Sequence, residues 1–246
     1  MNNKMFSFSI AELTTNQTGN QIIHKTGEMD YSSSEVKNMS AVIEISSSAK
    51  PIIGNFNGET LNLRRITVEQ YDLMIESGVF NEDDQIELLN GVIVEKMPKG
   101  TKHATLNNIV ATHFVIELGR KVCVSNQNPI WLDEFSEPEP DIVLVAPPCE
   151  KYFEKHPTPD DIFLVLEIAD STLGYDRNTK SAAYARAGIR QYLILNVQEK
   201  TLEDYREPNN DGFQSKQTYR AGQNFNLVAF PEINFQVSDF LPFEEV

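Results

Sequence analysis

The spacing of apolar residues changes character near residue 62. Before it, in segments such as Asn16-Gln17-Thr18-Gly19-Asn20 and Tyr31-Ser32-Ser33-Ser34, polar residues dominate and no period is sustained. A stretch of this kind buries too little apolar surface to offset its own ordering entropy. Residues 1–61 therefore read as a polar N-terminal extension, partly disordered, in which Ala41-Val42-Ile43-Glu44-Ile45 could form one strand, and residues 62–246 read as the folded domain.

Regular patterning begins at Thr67-Val68-Glu69-Gln70, a capping box in which the Thr67 and Gln70 side chains satisfy free amides at a helix start. The helix is predicted to run to about Gly78. Two apolar runs, Gln85 to Leu89 and Val92 to Lys96, flank Asn90-Gly91, a pair that tolerates the positive φ angles of a tight hairpin turn. Ile109, Val110, Phe114, Val115 and Leu118 recur at helical spacing, which predicts a helix from His103 to Leu118. Short apolar runs then predict strands over Val122 to Val124, Pro129 to Leu132, Asp141 to Val145 and Ile162 to Ile168. Asp176 reads as the N-cap of a helix from Arg177 to Ala187 that Gly188 ends, and Gln191 to Val197 as the next strand. Thr201 to Arg206, Phe213 to Tyr219 and Phe225 to Phe230 complete the set, with a turn at Asn209-Asn210-Asp211-Gly212.

Composition narrows the class. No apolar run approaches the roughly 20 residues of a membrane span, and Met1 to Ile10 lacks the uninterrupted apolar stretch of a secretory leader. The expectation is a cytoplasmic protein with no membrane partner. Cys123 and Cys149 are far apart and without metal-ligand spacing, so they read as ordinary reduced thiols. With 36 acidic against 21 basic residues the formal net charge is −15, which argues against strong nonspecific attraction to nucleic acid. It leaves open an enzyme that meets phosphates through a bound metal and local lysines.

The candidate chemistry lies in two acidic segments, Glu137-Pro138-Glu139-Pro140-Asp141-Ile142-Val143 and Val165-Leu166-Glu167-Ile168-Ala169. Each places a carboxylate at or inside a run apolar enough to be buried, and a buried carboxylate needs a counter-charge, donors or a metal. Strand alternation puts Glu167 on one face with Val165 and Ala169, and Leu166 and Ile168 on the other. If the two strands are neighbours, Asp141 and Glu167 could share a cation that prefers oxygen ligands, such as Mg²⁺. Lys180 follows on the next helix and shares its face with Tyr184, four residues on. Its ammonium group could orient a water or stabilise charge developing on a phosphoryl group.

These segments, together with Asp170-Ser171-Thr172, Tyr175-Asp176, Tyr184-Ala185-Arg186-Ala187-Gly188-Ile189 and the Asn90-Gly91 hairpin, resemble the Uma-two family, a bacterial branch of the PD-(D/E)xK restriction-endonuclease-like superfamily. The resemblance covers about Ile66 to Arg206 and implies an α/β fold with a restriction-endonuclease-like core, a central mixed β-sheet flanked by helices. It implies an endonuclease dependent on Mg²⁺ or Mn²⁺ that hydrolyses phosphodiester bonds of nucleic acid, DNA before RNA. Metal binding would fall to Asp141 and Glu167. The motif's usual lysine, two residues after the glutamate, would fall on Ala169, and the role passes to Lys180. Leu193 and Asn196 stand where family members often carry Trp and Asp.

Further candidates are weaker. Glu87 could reach the site from the hairpin, or face solvent. His103, beside Lys99 and Lys102, could contact a phosphate or assist proton transfer, or be a surface histidine. Tyr184 could pack beneath Lys180 or aim its hydroxyl into the site, packing being the simpler reading. Lys96, Lys99, Lys102 and His103 form a candidate substrate lip, which a homodimer would pool. His24, His113 and His156 have no zinc-ligand spacing. The alternative function is a catalytically weak, nuclease-derived binding module. Glycoside hydrolysis by the two carboxylates would need no lysine, and the single Trp131 offers little sugar-stacking surface.

Overall fold

The computed structural model describes residues 12–15, 21–24, 43–44, 52–56, 59–81 and 83–241. The chain divides into two units, one of Met1–Glu44 with Ile53–Leu61 and one of Ile45–Ile52 with Asn62–Val246. In the first, β1 (Glu12–Thr15) pairs antiparallel with β2 (Gln21–His24), and β3 (Ile43–Glu44) pairs with β4 (Ile52–Phe56), followed by β5 (Glu59–Leu63). The strand expected over 41–45 is thus present in its centre, while the disorder expected for the rest of 1–61 falls largely outside the described residues.

The second unit begins with α1 (Val68–Glu76), whose Thr67 and Gln70 close the reciprocal capping box. The hairpin of β6 (Ile86–Leu89) and β7 (Val92–Glu95) turns through Asn90 and Gly91, at φ of 56° and 83°. α2 (Thr101–Leu118) follows. The central sheet contains β8 (Cys123–Asn126), β9 (Ile142–Val145), β10 (Ile162–Ala169), β11 (Gln191–Asn196), β12 (Thr201–Asn209) and β13 (Gly212–Arg220) in the spatial order 13-12-11-10-9-8. β10 and β11 are parallel and the other neighbours antiparallel, so the sheet is mixed. A parallel pair needs a long crossover. Here it is α3 (Leu173–Tyr175), a π-helical turn (Asp176–Lys180) and α4 (Ser181–Arg186), running on without a break and stopped at Gly188, φ 80°. A hairpin of β14 (Asn224–Leu227) and β15 (Phe230–Gln236) and a short α5 (Val237–Phe240) close the chain.

Both faces of the sheet are covered. Leu106, Val110, Phe114 and Leu118 of α2 meet Ile142, Leu144, Leu166 and Ile168 on one face, joined by Phe225, Phe235 and Phe240. Val143, Val145, Val165 and Ala169 point the other way, toward Ala183, Tyr184 and Tyr192. The predicted alternation along β10 therefore holds, and Glu167 lies on the second face.

Four expectations need correction. Residues 129–132 form no strand: Ile130 and Leu132 bury their side chains from a loop whose amides bond Pro138 and Ser136 carbonyls at 3.0 Å each. The run from Phe225 to Phe230 is two strands, because the chain reverses after Leu227. The helix after Glu167 starts at Leu173, so Asp176 lies inside it and is no N-cap. Cys123 and Cys149 are not reduced thiols but a disulfide, because the first residue of β8 comes within 5.6 Å (Cα to Cα) of the turn that follows β9. No described helix is long and apolar enough to cross a membrane.

Candidate active site

β9 and β10 bring Asp141 and Glu167 together. The ladder between them reaches Ile142 opposite Leu166, and beyond it Pro140 offers no amide. Asp141 continues the pairing with its side chain: Oδ2 accepts the Ile168 amide at 2.9 Å, and the Asp141 amide lies 3.4 Å from Oε2 of Glu167. Both carboxylates are buried.

The crossover helix supplies the cation. Lys180 Nζ donates to Oε1 of Glu167 at 2.9 Å, and the Tyr184 hydroxyl, one turn on, donates to the same oxygen at 2.8 Å. The Tyr184 ring packs on Tyr192 at 4.9 Å between centroids, so this residue both packs and reaches the site, where packing alone had been the simpler reading. Glu87 does not face solvent. It is buried on β6, with Oε2 3.4 Å from Lys180 Nζ and Oε1 accepting the Tyr175 hydroxyl at 3.2 Å. His103 is likewise no surface residue, since its Nε2 lies 2.9 Å from Oδ2 of Asp141. An ionised carboxylate only accepts, so Nε2 carries the proton in that bond. Nδ1 is buried without a partner among the described residues.

All six sequence candidates thus converge in a cleft of about 390 Å³ or directly behind it, Tyr184 supporting Glu167 from below. Sequence reasoning missed Asp176, whose carboxylate lines the cleft and accepts the Thr172 hydroxyl at 2.6 Å. An aspartate two residues after a glycine looks the same as a cap and as a buried acid; only the earlier helix start separates them. Two of the three lip lysines are engaged: Lys96 pairs with Glu139, and Lys99 Nζ lies 3.3 Å from Oδ1 of Asp141.

The electrostatics are lopsided. Glu87, Asp141, Glu167 and Asp176 are buried carboxylates facing one buried ammonium, Lys180. Burial, with Asp141, Asp176 and Glu87 close by, pushes the Glu167 carboxyl up to about 8 despite Lys180. Burial likewise lifts Asp176 to about 6. Burial would raise Asp141 too, but His103, Lys99 and the Ile168 amide outweigh it and hold it below the usual carboxylate range. Lys180 stays protonated: burial works against its charge, yet Glu167, Glu87 and Asp176 raise it well above an ordinary lysine.

Such a donor set fits a divalent cation. The four buried carboxylates outnumber the ammonium groups beside them, Lys180 and Lys99, and the oxygen ligands suit a hard ion. Among the described residues no three acidic, histidine or cysteine side chains converge as a complete ligand set. Asp141 and Glu167 alone would suit an ion such as Mg²⁺, which keeps several waters and takes one or two carboxylates.

A family model described as "Putative restriction endonuclease", Uma2, matches residues 68–238. Among solved structures, one described as "a putative nuclease belonging to DUF820" from Anabaena variabilis aligns with a TM-score of 0.55 at 17% identity, over 72% of this chain and 98% of that one. At that identity the likeness speaks to fold. No curated protein matches.

Proposed function

We propose that this chain, which belongs to the Uma2 family, is a metal-dependent endonuclease that cleaves phosphodiester bonds of nucleic acid, DNA in the first instance. The carrying observation is the meeting of three elements at Glu167, with Asp141 against Oε2 and Lys180 on Oε1. It supports reading Ala169, fully buried where the superfamily's lysine would stand, as a relocation of that lysine to the next helix.

In this reading Asp141 and Glu167 would hold Mg²⁺ or Mn²⁺, which when bound polarises a phosphoryl oxygen and makes a water more acidic. Lys180 presents its ammonium group to the charge developing on the phosphate. Tyr184 and Glu87 are positioning residues, one fixing the Glu167 rotamer and the other fixing Lys180. His103 restrains Asp141 and could pass a proton from the cleft mouth. Lys99 could exchange its carboxylate partner for an entering phosphate. The domain carrying these roles would be 62–246, with 1–61 as an appendage, and a homodimer would pool two lips against the net charge of −15.

The test is cleavage of DNA and RNA oligonucleotides with Mg²⁺ by wild type, Asp141→Asn and Lys180→Ala. Variants that cut at the wild-type rate would sink the assignment. Lys180's engagement by two carboxylates supports the second reading, a binding module that retains the fold. Calorimetric titration with Mn²⁺ separates them: a site lost in Glu167→Gln marks the enzyme, and no site marks the module.

A further inference from the structure

A second groove, of about 910 Å³, opens beside α1, lined from that helix, the 131–137 loop and the segment from Tyr152 to His156. Six of its lining side chains are carboxylates: Glu69, Asp72, Glu76, Glu134, Glu137 and Glu154. The lining includes one lysine, Lys155, and His156, which acts on Asp72. Acidic patches are common on a chain of this composition, so the cluster alone says little. Two further observations point to a ligand.

The first is Glu137. It lines the groove yet is only 6% exposed, and among the described residues its carboxylate has no hydrogen-bond or ion-pair partner. Its electrostatic neighbours are two more acids, Asp72 and Glu139, and burial with those two charges lifts it to about 7. A buried carboxylate left without a counter-charge is costly unless something outside the chain supplies one. The second is the aromatic wall. Phe153 is 89% exposed and Trp131 48%, a high exposure for large rings, and both line the same groove. Ring faces attract cations.

A single compact ion would meet few of these acids at once, since no three of them converge as ligands among the described residues. Carboxylates set along α1 at Glu69, Asp72 and Glu76 and brought in from two further segments, with exposed rings in the same lining, match a cation that is itself extended, with charges separated by apolar links. We propose that this groove binds a linear polyamine, its ammonium groups at Glu137 and the neighbouring acids and its alkyl segments against Trp131, Phe153 and Leu73.

The experiment is calorimetric titration of the full-length chain with spermidine at about 0.15 M salt, where screening beyond roughly 8 Å removes diffuse attraction to the net charge. One saturable site is expected. Glu137→Gln should weaken it about tenfold or more, by loss of a charge-assisted contact, and Phe153→Ala about two- to fivefold. Glu117→Gln, an equal charge change on the exposed side of α2, should leave it unaltered. Both site variants spare the core, and Glu137→Gln removes a buried charge, so folding is not at stake. Absence of saturable binding, equal loss in Glu117→Gln, displacement by equimolar Mg²⁺, or binding of an oligolysine peptide but not of spermidine would each overturn the proposal.

Discussion

The Tyr184 hydroxyl donates to Oε1 of Glu167 across 2.8 Å while its ring stays fully buried against Tyr192. Tyr184→Phe keeps the ring and deletes only the donor. A hydrogen bond contributes about 0.5–1.5 kcal/mol, and about 1.5–3 kcal/mol when its partner is charged, so the variant should lose the smaller amount at neutral pH and the larger above about 8, where Glu167 is ionised, in urea titration. If Tyr184 positions Glu167, the pH profile of Mg²⁺-dependent cleavage should also move to higher pH, because the carboxylate loses a donor that favours its ionised form. A lowered midpoint with an unmoved profile would leave it a packing residue.

Lys180→Ala should be the more damaging change. It leaves Glu87, Glu167 and Asp176 buried without their shared ammonium, and breaking a buried pair in this way costs about 3–5 kcal/mol. Cleavage should fall about 10²-fold or more if the ammonium group stabilises transition-state charge. Adding Glu87→Gln should recover part of the stability and none of the activity. Additive losses in the double variant would show that Glu87 and Lys180 are not coupled.

Stability should depend on pH through Glu167. Its folded carboxyl lies at about 8, above the ordinary 4.5, so between those values the folded state binds more protons than the unfolded one. Stability is then complete below the lower value and falls as pH rises toward the upper, with Asp176 adding to the slope up to about 6. Glu167→Gln should flatten the curve of urea midpoint against pH and gain most above neutrality. Parallel curves for the two proteins would mean that Glu167 titrates normally.

Reduction should weaken the fold. The Cys123–Cys149 bridge closes a loop with a sequence separation of 26, for which chain-entropy estimates give about 3.5 kcal/mol. Dithiothreitol and Cys149→Ser should lower the urea midpoint alike, and unequal effects would show that the serine disturbs packing of its own.

Gly91→Ala should destabilise although the site is untouched. At φ 83° a new Cβ would lie 2.6 Å from Cβ of Arg65, itself held by its Nε on the Asn90 carbonyl at 2.9 Å and over the Phe135 ring. The left-handed backbone and the contact together should cost about 2 kcal/mol. An unchanged thermal midpoint would count against the close approach.

What the sequence discloses and what it hides divide along the range of the interactions. Thr67 with Gln70, Asn90 with Gly91 and Lys180 with Tyr184 are read correctly because each relationship spans four residues or fewer. Glu167's face follows from strand alternation alone. Glu87 and His103 are each balanced against a surface role, since nothing local tells a buried polar side chain from an exposed one. Their burial comes from β6, α2 and β9 meeting around β10. The disulfide and the reversal between Leu227 and Phe230 are hidden for the same reason: both depend on where distant segments lie.

The π-helical turn at Asp176–Lys180 gives the crossover helix two phases instead of one. A wide turn takes in an extra residue, so the segment before it can orient Tyr175 toward Glu87 while the segment after it orients Tyr184 toward Glu167. The two ends of the helix are thereby offset in rotation. Deleting a single residue from the turn would swing one end by about 100° relative to the other, so that Tyr175 and Tyr184 would no longer reach Glu87 and Glu167 from one helix.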